Sequence, residues 1–171
     1  MEVWDVGAGL SARSLLGSSP APSANVFVAA RPAGRGGFMA RAALGGSVGG
    51  DSIPAGSVAF DLAAVQLSAC APSLGMGSLG LRACVSGELG YLVARGRGDR
   101  FSGDSQAVPW ATGGATGELS WPEESPLRIT VAGGPRAALL RHRFYFAPDT
   151  TVYRMSLIGG ELGASVSLEM P

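Results

Sequence analysis

Apolar and polar residues alternate along most of this chain, most regularly at its C-terminal end. From Ile158 to Met170, aliphatic or small residues at even positions alternate with serine, glutamate and glycine at odd positions. A period of two sustained over this length predicts a β-strand with one apolar and one polar face. An apolar face of this kind suits either a protein core or the hydrocarbon of a membrane.

The same alternation recurs along the chain and predicts eight strands. They are Val3–Ser14, Asn25–Arg31, Phe38–Val48, Val58–Val65, Leu81–Val93, Val108–Trp121, Leu127–Leu140 and a final strand that starts at Tyr153 or Met155. We expect Gly49–Pro54 to break the third strand, a bulge or strand end after Val65, and a kink at Gly133–Pro135. In the sixth strand Trp110 is at one of the positions that otherwise carry polar residues. A large apolar side chain there conflicts with the polar face assigned to those positions.

The number and length of these strands predict an all-β fold. We expect an eight-stranded antiparallel up-and-down β-barrel of the outer-membrane type, forming a single domain over residues 1–171. Most candidate strands reach the ~9–11 residues that cross a bilayer, whereas the strands of soluble sandwiches are more often ~5–6 residues. Pairing of the last strand with Trp4–Ala12 would close the cylinder. The alternative is a soluble secreted β-sandwich or β-barrel that binds a ligand.

The connections and aromatic residues indicate an orientation. Connections after the first, third, fifth and seventh strands are mostly long, including the loops predicted at Ser18–Ser23, Arg95–Gln106 and Arg141–Thr151. Those after the second and sixth are short, and the cysteine-bracketed turn after the fourth is the exception. With both termini in the periplasm, the longer loops lie outside the cell. Trp4, Phe38 and Trp121 would then lie near the inner membrane rim, and Phe60, Tyr91 and Tyr153 near the outer one.

Composition supports strands rather than helices in a membrane. The mean hydropathy of +0.25 is high for a soluble domain, yet no run of ~18 apolar residues could form a membrane helix. The 13 basic residues are all arginine and balance 13 acidic residues. Because the net charge is zero, no nucleic-acid partner is expected. Outer-membrane lipid is the expected contact, and a monomer the expected state.

The polar faces of the strands carry charges of both signs, which we expect to point into the barrel. A narrow eight-stranded barrel would force these charges to pair and would fill its interior. The predicted interior charges are Asp5, Arg13, Arg41, Asp61, Arg82, Glu88, Glu118, Arg128, Glu161 and Glu169. In a soluble sheet the same residues would instead face solvent.

Cys70 and Cys84 flank the turn-rich segment Ala71–Gly75. They form no C-x-x-C motif and have no neighbouring histidine, so a zinc site is not expected. Their spacing suits a disulfide that closes a local loop, which would imply an oxidising compartment. Two free buried thiols are the alternative.

Three further motifs have both a functional and a structural interpretation. Gly75–Gly80 fits G-x-G-x-x-G and Gly45–Gly49 fits G-x-S-x-G, but each predicts a glycine-rich turn or strand end, because neither opens a helix. Arg141, His142, Arg143 and Tyr145 form a basic and aromatic patch that could contact phosphate or carbohydrate; a solvated strand tip is the alternative. No convergent acid, base and nucleophile are found, so we expect no catalytic residues, cofactor or metal.

The chain resembles the eight-stranded bacterial outer-membrane β-barrels and the barrel-like domains of GC-rich, lysine-poor bacteria. The resemblance rests on the strands around Cys70 and Cys84, Val108–Trp110, Pro126–Ile129, Arg143–Phe144 before a Pro-Asp turn, and Val152–Arg154. It implies a bacterial outer-membrane location and a structural or surface-interaction role through the longer loops, with lipopolysaccharide or another surface ligand as partner. Met1–Trp4 shows no signal peptide, so we expect a removed leader or a longer parent chain. The ending Glu169–Pro171 departs from the terminal aromatic of such barrels.

Overall fold

Eleven β-strands make up the regular structure of the described residues. The computed structural model describes residues 2–16, 19–32, 37–53, 56–97, 105–123, 125–140, 143–146 and 150–170. The strands are β1 (Glu2–Arg13), β2 (Ala21–Pro32), β3 (Met39–Ile53), β4 (Gly56–Cys70), β5 (Leu74–Met76), β6 (Leu79–Arg97), β7 (Ser105–Trp121), β8 (Leu127–Ala138), β9 (Arg143–Phe146), β10 (Thr150–Arg154) and β11 (Ile158–Met170).

Eight of these strands close into an antiparallel barrel. Its order is β1-β2-β3-β4-β6-β7-β8-β11, and β11 pairs back onto β1 from Trp4↔Met170 to Arg13↔Glu161. The short β5 adds to the edge of β6, and β9 and β10 form a separate hairpin. The predicted eight-stranded antiparallel barrel, closed by its first and last strands, is therefore confirmed. No helix in the described part of the chain has the length and apolarity needed to cross a membrane.

The period of two in the sequence corresponds to the two faces of the barrel wall. On the outer face, large aliphatic side chains are exposed, among them Leu10, Leu44, Leu89 and Leu162 at 60–70%. On the inner face of β1, Asp5 and Arg13 are buried. Such a protein hides its charges and exposes its aliphatic residues, which is the reverse of a soluble domain and the arrangement of a membrane barrel.

The two ends of the barrel differ. The end at which β1 begins and β11 ends is called the proximal end here, and the opposite one the distal end. Proximal connections join Pro32 to Met39, Cys70 to Leu79 and Trp121 to Leu127; distal ones include 14–20, 98–104 and 139–157. Strands β6 and β7, with 19 and 17 residues, are longer than the ~9–11 residues that a membrane crossing needs and extend toward the distal end.

Several predicted strand boundaries were wrong, most of them because the barrel strands run further than the alternation indicates. β3 continues through Gly49 to Ile53, so its distal connection is short, and β2 already begins at Ala21. β4 runs to Cys70 with no bulge after Val65, since its pairing with β3 keeps one register throughout. The final strand begins at Ile158, because residues 150–154 pair with β9 instead.

The predicted kink at Gly133–Pro135 is also absent. The same register relates β7 to β8 on either side of it, at Gly114↔Arg136 and at Gly117↔Gly133. On the other side of β8, pairing with β11 continues without interruption through Pro135. β8 is thus one strand, and Arg128 and Arg136 share its inner face.

The facing predicted for β4 was inverted over its distal half. Val58, Phe60, Leu62 and Ala64 were expected outside, but they are buried at 1–7% exposure inside the barrel. The opposite parity, which holds Asp61, faces outward. Both faces of β4 carry apolar residues here, because the distal half of the interior is itself apolar. Phe60 therefore does not belong to an outer aromatic rim.

The other aromatic residues can be located on the same two faces. Trp4, Phe38 and Trp121 are exposed near the proximal end, and Tyr91 is exposed on the outer face of β6. The side chain of Tyr153 lies outside the described residues. Trp110 points into the barrel and is 2% exposed. It faces inward together with the polar residues of its strand, so the facing predicted for that strand was correct and includes Trp110.

Candidate functional site

Among the described residues, charged side chains on the inner face form three groups of ion pairs along the barrel. The first, the proximal cluster, consists of Asp5, Arg31, Arg128 and Glu169. Arg128 Nη2 donates to Asp5 Oδ1 at 2.6 Å and to Glu169 Oε2 at 3.0 Å. Arg31 Nε donates to Asp5 Oδ2 at 3.3 Å, and Arg31 also pairs with Glu169. Two arginines and two carboxylates thus close a ring of contacts across β1, β2, β8 and β11.

The second group is the central pair, Arg41 and Glu118, which joins β3 to β7 across the barrel. The Arg41 guanidinium donates from Nη1 at 2.6 Å and from Nη2 at 3.0 Å to the two carboxylate oxygens, a bidentate contact. Arg41 also lies over the ring of Phe27, 4.8 Å from its centroid. The Phe27 ring in turn covers Gly7, where a side chain would meet the ring atoms.

The third group, the distal cluster, contains Arg13, Glu88, Arg136 and Glu161. Arg13 bridges two acids, with Nη1 2.7 Å from Glu88 Oε2 and Nε 3.3 Å from Glu161 Oε1. Arg136 pairs with both acids as well, at 3.7 Å from Glu88 Oε2 and through its Nε with Glu161. The side chains of Glu88 and Arg136 are only 2% and 1% exposed, so water contributes little to their solvation.

An apolar core lies distal to these charges. We call it the distal core, and Trp110 connects it to the distal cluster, because its indole Nε1 donates to Glu88 Oε1 at 2.7 Å. The other large side chains of the core belong to three strands and two connections. The distal core comprises Leu15, Leu16, Ala21, Val58, Phe60, Leu62, Ala64, Leu92, Ala94, Val108, Trp110, Ala138 and Met155.

Residues from the distal connections cover this core. Leu15 and Leu16 follow β1, Met155 precedes β11, and each is 1% exposed. The Leu15 side chain packs against Gly159, where an added Cβ would lie 2.8 Å from Leu15 Cγ. A larger residue at 159 would push Leu15 out, so this close approach requires glycine.

Most of the predicted interior charges face inward. Asp5, Arg13, Glu88, Glu118 and Arg128 are buried, and Arg41, Arg82, Glu161 and Glu169 are partly buried on the same face. Asp61 is an exception and corrects the prediction, because it lies on the outer face, where its Oδ2 is 2.9 Å from Arg95 Nη1. Its side chain is 41% exposed, and that of Arg95 is 61% exposed.

Sequence reasoning missed two interior arginines, Arg31 and Arg136. The expected kink separated Arg136 from Arg128, although eight positions on one strand place both on the same face. Arg31 lies on the same inward face of β2 as Phe27 and Ala29. The predicted strand ends at Arg31, so the sequence analysis did not assign this residue to either face. In both cases the alternation of inward and outward positions, continued to the true end of the strand, would have predicted an inward-facing arginine.

Cys70 and Cys84 form a disulfide, as predicted. They are cross-strand partners at the proximal end of the β4–β6 ladder, and both face the interior at 0% and 3% exposure. Together with Ala29 and Met39 they form a second small apolar cluster. Their sulfur atoms lie within 4.8 Å of a Glu118 carboxylate oxygen, but a disulfide offers no thiolate to a metal.

Removing this disulfide should weaken the barrel without opening it. We expect the double variant Cys70→Ser/Cys84→Ser to lose about 3 kcal/mol, the loop-entropy value for a loop of ~15 residues. The 14 pairs of the β4–β6 ladder should keep the register. Urea unfolding in detergent measures the loss. Unchanged stability, or loss of the folded gel band in mild conditions, would contradict this expectation.

Neither glycine motif forms a catalytic or nucleotide site. Gly75–Gly80 spans β5 and a turn with Gly77 at φ +66°, and the strand β6 follows where a dinucleotide site needs a helix. Gly45–Gly49 lies within β3, and Ser47 is buried inside the barrel against Ser23. Such a serine is held in a sheet and is not presented on a strand-to-helix turn.

The predicted loop patch can be located only in part. Arg141 and His142 lie outside the described residues. Arg143 and Tyr145 belong to β9, a distal strand, and their side chains are likewise not described. Arg143 and Tyr145 therefore belong to the distal end, and the contacts of the patch stay a prediction.

Solved structures with the same architecture come from bacterial outer membranes. A major outer membrane protein of Thermus thermophilus matches with a TM-score of 0.71 at 9% identity, covering 99% of this chain and 100% of that one. The chain has the fold of an eight-stranded outer-membrane β-barrel. Neisserial surface protein A matches with a TM-score of 0.53 at 13% identity, covering 98% and 96% of the two chains.

A third match is Ail, the attachment invasion locus protein of Yersinia pestis, whose crystal structure contains the heparin analogue sucrose octasulfate. It has a TM-score of 0.54 at 9% identity, with 99% and 97% of the two chains covered. Neither a protein-family model nor a curated protein sequence matches this chain. At such low identity the three structures establish the fold, and the role of the protein rests on its own residues.

Proposed function

We propose that this chain is a sealed, non-catalytic barrel of the bacterial outer membrane that presents its distal connections at the cell surface. The observation that carries the proposal is the division of the inner face between an apolar core and ion-paired charges. The distal core occupies one half of the barrel and the ion-paired clusters occupy the other. A barrel filled in this way supports loops but provides no continuous aqueous path.

The outer surface supports contact with membrane lipid. Along β6 the outward residues from Leu81 to Val93 are apolar or glycine apart from Tyr91, and the next one is Arg95. The ion pair between Arg95 and Asp61 therefore marks the distal limit of the apolar band. Because arginine binds phosphate by bidentate hydrogen bonds, we propose that Arg95 contacts the phosphates of lipopolysaccharide.

The closed ring supports a monomer. Strand β1 pairs with β11 and β4 pairs with β6, so the eight barrel strands leave no free edge for a second copy to extend. Unpaired edges are the usual route to association between sheets. A monomer in the membrane would leave the whole apolar band free for lipid.

A surface-binding role for the distal end draws on its basic residues. The sequence of the distal connections contains Arg100, Arg141 and His142, and Arg143 belongs to β9. Arginines bind phosphate and sulfate by bidentate hydrogen bonds. Ail, of the same fold, was crystallised with a sulfated ligand. Lipopolysaccharide phosphates and sulfated glycans share this chemistry, and we propose a ligand of this polyanionic class.

A conductance measurement tests the sealed interior. In planar lipid bilayers we expect the wild-type barrel to show no stable single-channel current. A variant with Phe60→Ala, Leu92→Ala and Trp110→Ala removes three large side chains of the distal core but leaves the ion-paired clusters in place, so it too should show no stable current. Outer-face substitutions of equal number, Val65→Ala, Leu67→Ala and Leu89→Ala, serve as the control. Stable wild-type channels would refute the proposal.

Charge reversal tests the ligand class. We expect Arg143→Glu to weaken binding of the barrel to immobilised heparin and to lipopolysaccharide vesicles, while Arg35→Glu, in the proximal connection between β2 and β3, should leave it unchanged. A loss on heparin alone would assign a sulfated glycan, and a loss on vesicles alone would assign lipopolysaccharide. Equal binding by wild type and both variants would contradict a polyanion site at the distal end.

A further inference from the structure

A polar cavity lies inside the barrel between the central pair and the distal cluster. Its volume is about 80 Å³. Arg41 and Glu118 of the central pair border it, as do Arg136 and Glu161 of the distal cluster. Because two arginines face two glutamates, the charges of the wall balance. The other polar side chains of the wall are neutral. They are Ser11, Asn25, Gln66, Ser68, Thr116, Thr130 and Ser165.

Most of these neutral side chains have hydrogen-bonding groups that the protein does not pair. Ser11 donates to Glu161, but the other six have no hydrogen-bond partner within the described part of the chain. Their polar atoms are also not sealed by neighbouring protein atoms, so a water molecule can touch them. Six unpaired polar groups around one cavity therefore require a partner that is not protein.

Two arginines of the wall add donors to this set. Arg136 Nη2 and Arg41 Nε are both buried, and neither has an acceptor among the described residues. The other nitrogens of Arg136 already donate to Glu161 and Thr112, and the Arg136 side chain is only 1% exposed. Leaving a buried guanidinium donor without an acceptor is costly, and such a group usually marks an ordered water or ion.

Water fits this wall better than an ion or hydrocarbon does. The balanced charges give neither a cation nor an anion a net attraction, and the polar groups would stay unpaired against hydrocarbon. Polar cavities of sufficient size contain water, whereas apolar ones stay dry. The volume exceeds the ~10–15 Å³ that one water molecule needs, so the cavity has room for more than one.

We infer that this cavity holds a cluster of ordered water molecules that connects the central pair to the distal cluster by hydrogen bonds. Among the described residues no hydrogen bond or ion pair joins these two groups directly. Water that bridges two polar groups is nearly as favourable as a direct hydrogen bond. The two groups would then form one continuous network across the middle of the barrel. The inference concerns the interior alone and is independent of what the distal connections bind.

A crystal structure of the barrel in detergent, at a resolution that shows ordered water, tests the occupant. We expect separate water molecules in the cavity. One should be hydrogen-bonded to Arg41 or Glu118 and another to Arg136 or Glu161, with a hydrogen bond between them or through a third. A dry cavity, an ion or other solute in place of water, or water confined to one of the two groups would overturn the inference.

Two variants of equal shape at Ala43 test the water in solution. Ala43 borders the cavity on the inner face of β3, and its cross-strand partners Phe27 and Gln66 are uncharged. Ala43→Val would displace a water molecule and leave wall groups unpaired, whereas the hydroxyl of Ala43→Thr would replace some of its hydrogen bonds. We therefore expect Ala43→Thr to unfold in detergent at a higher urea concentration than Ala43→Val.

The same two substitutions at Ala94 are the matched control. Ala94 belongs to the distal core and is 5% exposed, so an added hydroxyl there is buried among apolar side chains. Ala94→Val should unfold at a higher urea concentration than Ala94→Thr, because burying an unpaired hydroxyl is costly. A dry cavity would give this order at both positions and would overturn the inference. If the Ala43 variants do not refold, the wild-type crystal structure decides alone.

Discussion

Replacing Glu88 by alanine is expected to destabilise the barrel by about 3–5 kcal/mol, the cost of removing one partner from a buried ion pair. The carboxylate accepts from Arg13 and Trp110 and lies beside Arg136. Without it, two buried guanidinium groups lose a counter-charge and the indole loses its acceptor. Because Glu88 joins the distal cluster to the distal core, both halves of the interior should loosen together.

Urea unfolding in detergent, followed by tryptophan fluorescence, measures this loss. Asp61→Ala is the matched control, because it breaks an ion pair that is half exposed on the outer face and should cost within about 1 kcal/mol. Glu88→Gln keeps an acceptor for Trp110 and should fall between the two. Equal stability of Glu88→Ala and Asp61→Ala would show that the interior network contributes nothing to stability.

Placing an arginine at Val166 should impair insertion into lipid. Val166 is exposed on the outer face of β11, paired with Ala8 midway along the band between Trp4 and Ala12. A charge facing hydrocarbon at the bilayer midplane costs about 2–4 kcal/mol in a membrane barrel. If the chain were instead a soluble sandwich, the same change would prevent folding in water.

Refolding into lipid vesicles, read as the fraction of protein with heat-modifiable gel mobility, measures the effect. Ser52→Arg is the control, since Ser52 is exposed near the distal end of β3 and a charge near the interface costs only about 0–1 kcal/mol. A wild-type chain that stays monodisperse without detergent, or equal insertion of both variants, would contradict the membrane assignment.

The sequence was most informative where one face of a strand is uniformly apolar and the other polar. β1 and β11 satisfy this condition along their whole length, and their pairing across the closure was predictable from it. The cysteine pair was predictable too, because turn residues between two strand-like segments bring the cysteines to facing positions. In both cases local pattern and tertiary arrangement agree.

Alternation failed where the interior itself is apolar. In β4, Phe60 and Leu62 face the distal core while Ala63 and Val65 face outward. When both faces of a strand are apolar, the sequence does not show which face points inward, since hydrophobicity does not distinguish lipid from a protein core. Asp61 was therefore assigned to the wrong face. The burial of the opposite parity and the pairing of Asp61 with Arg95 on the outer wall reveal its position.

The sulfur atoms of Cys70 and Cys84 lie on the inner wall, at 0% and 3% exposure. An oxidase can reach them only while the sheet is still open, so oxidation has to come before closure in the assembly of the protein. β4 and β6 would arrive at the membrane already joined, with their register fixed at Cys70↔Cys84. The remaining strands would then assemble around a cross-linked hairpin. Disulfide formation would therefore be an early step in the assembly of this barrel.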